Sequence, residues 1–441
     1  MTELRRELTL YGLTMVAIGS CIGSGIFLTP SQIASVLPAP LLILAVWGLG
    51  GLITLTGALT FAELGAMFPQ AGGVYVYLKE AWGELPAFLY GWAYLLIITS
   101  GAIAALTIAF ARYVGFLIPL GPGGITAVAI GAIVTVTVIN IVRVKAGEMF
   151  ANIFTGLKLI GVLGLVAVGL LWGSSSTLTA PSPAPAPAPG STSILAGFGL
   201  ALIGVLWSYG GWQHASFVAG EARDPRRAVP RAMVGGALVV AVAYLLSNLA
   251  YLFLLPVDAI AASPSVAAEA VSTIIPFGGT IIAVVIAISV FGTAGIYTLS
   301  APRIYYAMAD DGIFFPALAR VHPIFRTPVN AIVTQSAWAV VLLLFWGTFE
   351  DVITYVVFTD WMFFALTGAG VLILRRRRPQ AERPYRVLGY PVTPLIFITI
   401  SGLFVVNTLI ERPLHAVAGL ILMGLGVGAY LIFRRRRSAV R

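Results

Sequence analysis

Gly19-Ser20-Cys21-Ile22-Gly23-Ser24-Gly25 lies in the middle of the first long apolar stretch of the chain. Three glycines in these seven residues each weaken a helix by about 1 kcal/mol relative to alanine. A second break, Ser208-Tyr209-Gly210-Gly211-Trp212, interrupts the sixth apolar stretch. In lipid an unsatisfied backbone group is costly, so a broken helix survives only where protein or a cavity covers it. Two broken helices at matching places in two halves point to the binding site of a transporter.

The surrounding composition sets the class. The chain has 441 residues, 59% hydrophobic and 10% charged, with mean hydropathy +0.97. Such a chain is not a soluble domain; runs of 18 or more apolar residues spell membrane helices. The stretch 10–36 is too long and glycine-broken for a cleaved signal peptide, and more spans follow at once. The single cysteine, Cys21, excludes an intramolecular disulfide.

Twelve apolar segments are predicted, roughly 10–36, 40–67, 85–113, 124–142, 147–172, 194–219, 231–255, 277–307, 328–346, 350–374, 393–411 and 413–433. The net charge of +9 is distributed by side rather than spread. With the N-terminus inside, Arg5, Arg6, Lys79, Arg143, Lys145, Arg223, Arg226, Arg227, Arg303, Arg375 to Arg378 and Arg434 to Arg437 all fall inside. Only Arg112 and Arg412 fall outside. This positive-inside pattern predicts a multi-pass protein of the cell membrane with both termini cytoplasmic. The basic runs then face anionic lipid, and nucleic acid is not an expected partner.

The proline-rich stretch 181–189 reads as an extended external linker within a loop 173–193. It separates a first unit, about 10–172, from a second, about 194–374; two further helices follow at about 393–433. Each unit has five spans. Five is odd, so a second copy starts on the opposite side and the repeat is inverted.

Gly19-xxx-Gly23 alone reads more readily as a helix-packing seam. The matching break in segment six reverses that reading. Free N–H groups at the start of an outer half-helix near Ile26, with its positive dipole end, suit a carboxylate. Carbonyls ending the inner half, Ser20 to Ile22, suit an ammonium group. Trp207, Tyr209 and Trp212 lie about 13–18 residues into segment six, too deep for an interfacial belt. Trp207 is the leading gate candidate; Tyr209 is a gate or structural aromatic and Trp212 a structural one.

At these residues the chain resembles the amino acid–polyamine–organocation superfamily, in particular L-type light subunits and bacterial amino-acid permeases. The marks are 18–27 (IGSCIGSGIF), 61–77 (FAELGAMFPQAGGVYVY), 207–212 (WSYGGW), 219–230 (AGEARDPRRAVP) and 302–312 (PRIYYAMADDG). The resemblance implies an all-α LeuT-type fold of 12 transmembrane helices, two inverted five-helix repeats plus two. It implies that Gly23, Ser24 and Gly25 bind a substrate carboxylate, with Ser208 beside them. Carbonyls of Cys21, Ile22, Trp207 and Gly210 would hold the ammonium. Relatives often carry phenylalanine where Trp207 stands, which implies a smaller pocket here.

Lys158, near the middle of segment five, is costly in lipid and must face protein or water. The resemblance places its ammonium where sodium-coupled relatives hold sodium, against the broken helix near Gly19. Lys158 and Asp360, which lies deep in segment ten, are therefore the coupling candidates. Glu63 and Glu221, near helix ends, are expected to pair with arginines and hold an inner gate shut.

The expected function is secondary active transport of small or medium neutral L-amino acids, by sodium-independent exchange and alternating access. Proton symport and carriage of cationic amino acids or polyamines are the alternatives. The partners are the amino acid, a proton as candidate co-substrate, and lipid; no heavy subunit, cofactor or metal is called for. Only His214, His322 and His415 are present, with no metal-ligand spacing or nucleophile–base pair, so an enzyme is not expected. No channel filter or phosphate-binding G-x-x-x-x-G-K is found.

Overall fold

The computed structural model describes residues 4–178, 194–345, 349–411 and 413–440. The proline-rich stretch 181–189 lies outside the described residues. Among those described there is no strand; a single bridge pairs Leu8 with Ala222. Helices follow the apolar stretches closely. The first is Leu10–Cys21 and Gly25–Val36, then come Pro40–Met67, Glu84–Ala93 running on through Leu117, Pro122–Val142 and Val144–Trp172. The later ones are Ile194–Tyr209, Pro225–Leu254, Gly278–Ser300 with Pro302–Asp310, Val329–Phe345, Phe349–Arg377, Val392–Glu411 and Pro413–Val440. Among the described residues nine spans are long and apolar enough to cross a membrane. The chain is thus a polytopic helical membrane protein.

Three short helices were not anticipated: Val74–Trp82, Val257–Ala262 and Val266–Ser272. They are far too short to span, so hydropathy gives them no signal. A π-turn, Tyr94–Ile98, also interrupts the third segment. Such single turns often mark functional places.

Burial separates core from periphery. The most apolar windows of Leu10–Val36 and Glu84–Leu117 are 83% and 78% buried, against 28% for Pro122–Val142 and for Val392–Ile410. The two broken or bulged segments therefore sit at the centre. Pro40–Met67 packs along Pro225–Leu254, the most extensive helix pairing. Small residues make this possible: a Cβ on Gly51 would lie 3.1 Å from Ala241; Gly236 likewise lets Pro225–Leu254 sit against Ala17 of the first helix.

Candidate functional site

The two breaks are packed on each other. Gly211 has φ +126°, which only glycine adopts readily, and a Cβ there would lie 2.5 Å from the Ser20 carbonyl carbon. A Cβ on Gly25 would lie 2.8 Å from Ser208 Cα. Thr29 and Ser208 hydroxyls meet at 3.2 Å, and the Cys21 thiol donates to the Tyr209 carbonyl at 3.6 Å. Glycines thus let two irregular backbones touch where side chains would hold them apart.

Beside this contact is a cavity of ≈ 50 Å³. The first break lines it with Cys21, Gly23, Ser24 and Gly25, the second with Trp207, Ser208 and Gly210. Tyr94, Thr99, Thr293, Tyr297, Asp360 and Trp361 close the walls. The volume holds a handful of waters, or a small ligand that displaces them. The N–H groups of Ser24, Gly25 and Ile26 find no acceptor among the described residues, and the Ser24 side chain caps nothing. The half-helix Gly25–Val36 therefore opens onto the cavity with unspent donors and its positive end.

The carbonyls divide differently from the expectation. Ile22 is off the cavity: its carbonyl oxygen lies 3.0 Å from both the Ser289 and the Thr293 hydroxyl. The unwound backbone turns that carbonyl toward Gly278–Ser300, away from the lining. The Cys21 carbonyl accepts from the Tyr244 hydroxyl and from the Gly23 N–H, both at 2.8 Å. That carbonyl is therefore filled, and the Gly23 N–H, expected to face a carboxylate, is spent inside the turn. The Trp207 carbonyl accepts from the Gly210 N–H at 3.1 Å. The Gly210 carbonyl alone of the four has no partner among the described residues.

Trp207 lines the cavity, but Tyr209 does not. Tyr209 is buried against Trp47 and Tyr244, with ring centroids 5.7 and 5.1 Å away, and its hydroxyl donates to the Trp47 carbonyl. Of its two expected parts, the geometry gives it the structural one. Trp212 packs on Phe61 and Phe364.

Lys158 is fully buried, and its ammonium donates to the Gly19 carbonyl at 2.8 Å and to Thr293 Oγ1 at 2.6 Å. It thus ties Val144–Trp172 to the last inner turn of the first segment. Asp360 lines the cavity, and its Oδ1 has no hydrogen-bond partner among the described residues. Nearby, Ser300 donates to the Ile296 carbonyl, which leaves its oxygen to accept from His214 Nδ1. The network thereby assigns the neutral Nδ1–H tautomer, and Nε2 accepts from the Tyr94 hydroxyl at 3.3 Å.

Ion pairs close the arginine-rich end. Glu63 meets Arg375 at 2.6 Å, Arg383 at 3.2 Å and the Val387 N–H at 2.8 Å. Glu221 meets Arg303 at 2.9 Å with both side chains fully buried. Lys79 and Asp311 pair at 2.5 Å. Both glutamates are thus engaged as the sequence suggested. Tyr94, Thr99, Thr293, Tyr297 and Trp361 were not anticipated as lining residues. Hydroxyl-bearing and aromatic residues are frequent in such helices, and only the π-turn would have singled out the first two.

The amino acid permease family model matches residues 8–430. The serine/threonine exchanger SteT of Bacillus subtilis is 32% identical over 441 residues, covering 99% of this chain and 98% of that protein. The human b(0,+)-type amino acid transporter 1 is 30% identical over 93% of this chain and 84% of its own length. The human cystine/glutamate transporter is 28% identical over 98% of this chain and 86% of its own.

Proposed function

Because the chain belongs to the amino acid permease family, and is an amino-acid transporter rather than an enzyme, we propose that it exchanges small or medium neutral L-amino acids across the cell membrane without sodium. The carrying observation is the contact between the two breaks, with the N–H groups of Ser24, Gly25 and Ile26 unspent beside the cavity. These donors and the Ser24 hydroxyl take the substrate carboxylate. The Gly210 carbonyl takes the ammonium, with the second lone pair of the Trp207 carbonyl. Trp207 covers the ligand. Small size follows from the ≈ 50 Å³ cavity and agrees with a relative named for serine and threonine.

Alternating access on a LeuT-type frame is the mechanism. The repeats are about 10–172 and 194–374, with two helices at about 393–433 outside them. Equivalent segments pack pairwise, one on six, two on seven and three on eight, which supports this reading. Both termini lie in the cytoplasm, so the pairs around Glu63, Glu221 and Lys79 form the inner gate. Opening inward requires those pairs to separate.

Proteoliposomes holding the chain alone test the reading. Trans-loaded neutral amino acid should stimulate uptake several-fold, equally in sodium and in choline. No exchange with any amino acid overturns it.

Lys158 carries the sodium independence. Its ammonium occupies the Gly19 and Thr293 oxygens that a bound cation would need. Lys158→Ala removes two hydrogen bonds from a charged donor, each worth about 1.5–3 kcal/mol. Uptake should fall by about tenfold or more. If uptake and its pH response both stay at the wild-type level, Lys158 has no part in coupling.

A further inference from the structure

The unspent groups on the cavity wall opposite the breaks are the remaining half of the site. Asp360 Oδ1 and Thr99 Oγ1 are both buried and both line the cavity, and among the described residues neither makes a hydrogen bond; the hydroxyl beside Thr99 is that of Tyr305, itself unbonded. Their helices touch: Phe349–Arg377 packs against the π-turn Tyr94–Ile98 and the helix that Thr99 begins. The obvious neighbour cannot satisfy Asp360. The Tyr94 proton is committed to His214 Nε2, because His214 Nδ1 gives its own proton to Ser300. Tyr297 likewise donates to the Ser20 carbonyl at 3.3 Å. A carboxyl oxygen left bare in a membrane interior is an unpaid cost unless the ligand covers it.

We propose that Asp360 and Thr99 form the side-chain subsite and select amino acids that carry a hydroxyl one bond beyond Cβ or closer. The proposal rests on the carrier reading above and names its substrate class. A hydroxyl answers both orphans at once, donating to Asp360 Oδ1 while accepting from the Thr99 hydroxyl. An alkyl side chain of equal size leaves both unpaired. An ammonium donates to both but gives the Thr99 proton no acceptor. The ≈ 50 Å³ volume holds the class to short side chains such as those of serine and threonine.

The experiment is a competition for exchange in proteoliposomes, with serine against 2-aminobutyrate and threonine against valine. Each pair exchanges a hydroxyl for a methyl of similar size, so size cancels. Wild type should prefer the hydroxy member by about 10–100-fold, the factor given by one hydrogen bond to a charged group. Asp360→Leu should bring the ratio to about one. Asp360→Asn, which keeps an acceptor oxygen, should retain part of it, and it serves if the leucine variant does not fold. Thr99→Val should lower the ratio by a smaller factor. Exchange with no preference in wild type overturns the subsite and leaves the carrier reading standing. So does a preference for 2,4-diaminobutyrate over serine. An unchanged serine-to-2-aminobutyrate ratio in Asp360→Asn, with only its pH profile moved, assigns the residue to protons and also overturns the proposal. Absence of exchange with every amino acid overturns the carrier reading and this subsite with it.

Discussion

Gly25→Val abolishes transport while the protein remains a monodisperse, helical species in detergent. A Cβ at Gly25 already lies 2.8 Å from the Ser208 Cα, a backbone atom that cannot swing aside as a flexible side chain would. Two further methyls make the clash worse, so the outer half-helix must move off the second break. The Ser24, Gly25 and Ile26 donors move with it. Each hydrogen bond to a carboxylate is worth about 1.5–3 kcal/mol, so losing two of them costs about 100-fold or more in affinity. Gly48 provides the control, because a Cβ there meets nothing within 4 Å. Gly48→Ala should transport normally. Gly23→Ala should fall between the two, since its Cβ has ordinary room, 3.6 Å from Thr293 Oγ1, on the cavity lining. Uptake and size-exclusion profiles of the three variants decide it. Wild-type uptake by Gly25→Val would remove the carboxylate site from this place.

Why the glycines could be found in advance, and much else could not, is a matter of physical signal. A glycine run inside an apolar stretch contradicts helix propensity, and Lys158 contradicts the solvent; both are visible as violations. Glu63 and Glu221 were legible because carboxylates near arginine runs seek partners. Direction was not legible. Membrane helices are apolar all round, so no polar face says which residues look inward. Tyr209 and Trp207 lie two residues apart, yet one props Trp47 and the other lines the cavity. Ile22 failed for a related reason: an unwound stretch has no fixed carbonyl direction, and Ser289 and Thr293 capture its oxygen from another helix. The π-turn that sets Tyr94 and Thr99 on the cavity wall has no compositional mark at all.

Glu221→Gln should destabilise the protein more than Arg303→Met, although the two residues form one pair. Both side chains are fully buried, and Arg303 also donates to the Leu299 carbonyl. Removing one member of such a pair costs about 3–5 kcal/mol, because it strands the other charge. The two strandings are unequal. Burial pushes the Glu221 carboxyl up from the usual carboxylate range and Arg303 pulls it back, so without Arg303 the acid takes a proton and becomes neutral. Arginine has no such escape, since its guanidinium stays charged. Glu221→Gln therefore leaves a buried cation, while Arg303→Met leaves a buried neutral acid. Thermal denaturation in detergent should place Glu221→Gln lowest, Arg303→Met between it and wild type, and the double variant at or above Arg303→Met. The backbone bridge adds a functional arm. The Leu8 N–H donates to the Glu221 carbonyl at 2.9 Å, and the Leu8 carbonyl accepts from the Arg223 N–H at 3.0 Å. Losing the pair thus loosens the N-terminal strap over the same end. Accessibility of a thiol placed at Ser216 should rise in Glu221→Gln. Equal melting of the two single variants would mean that the pair is wetted and contributes as a surface bridge.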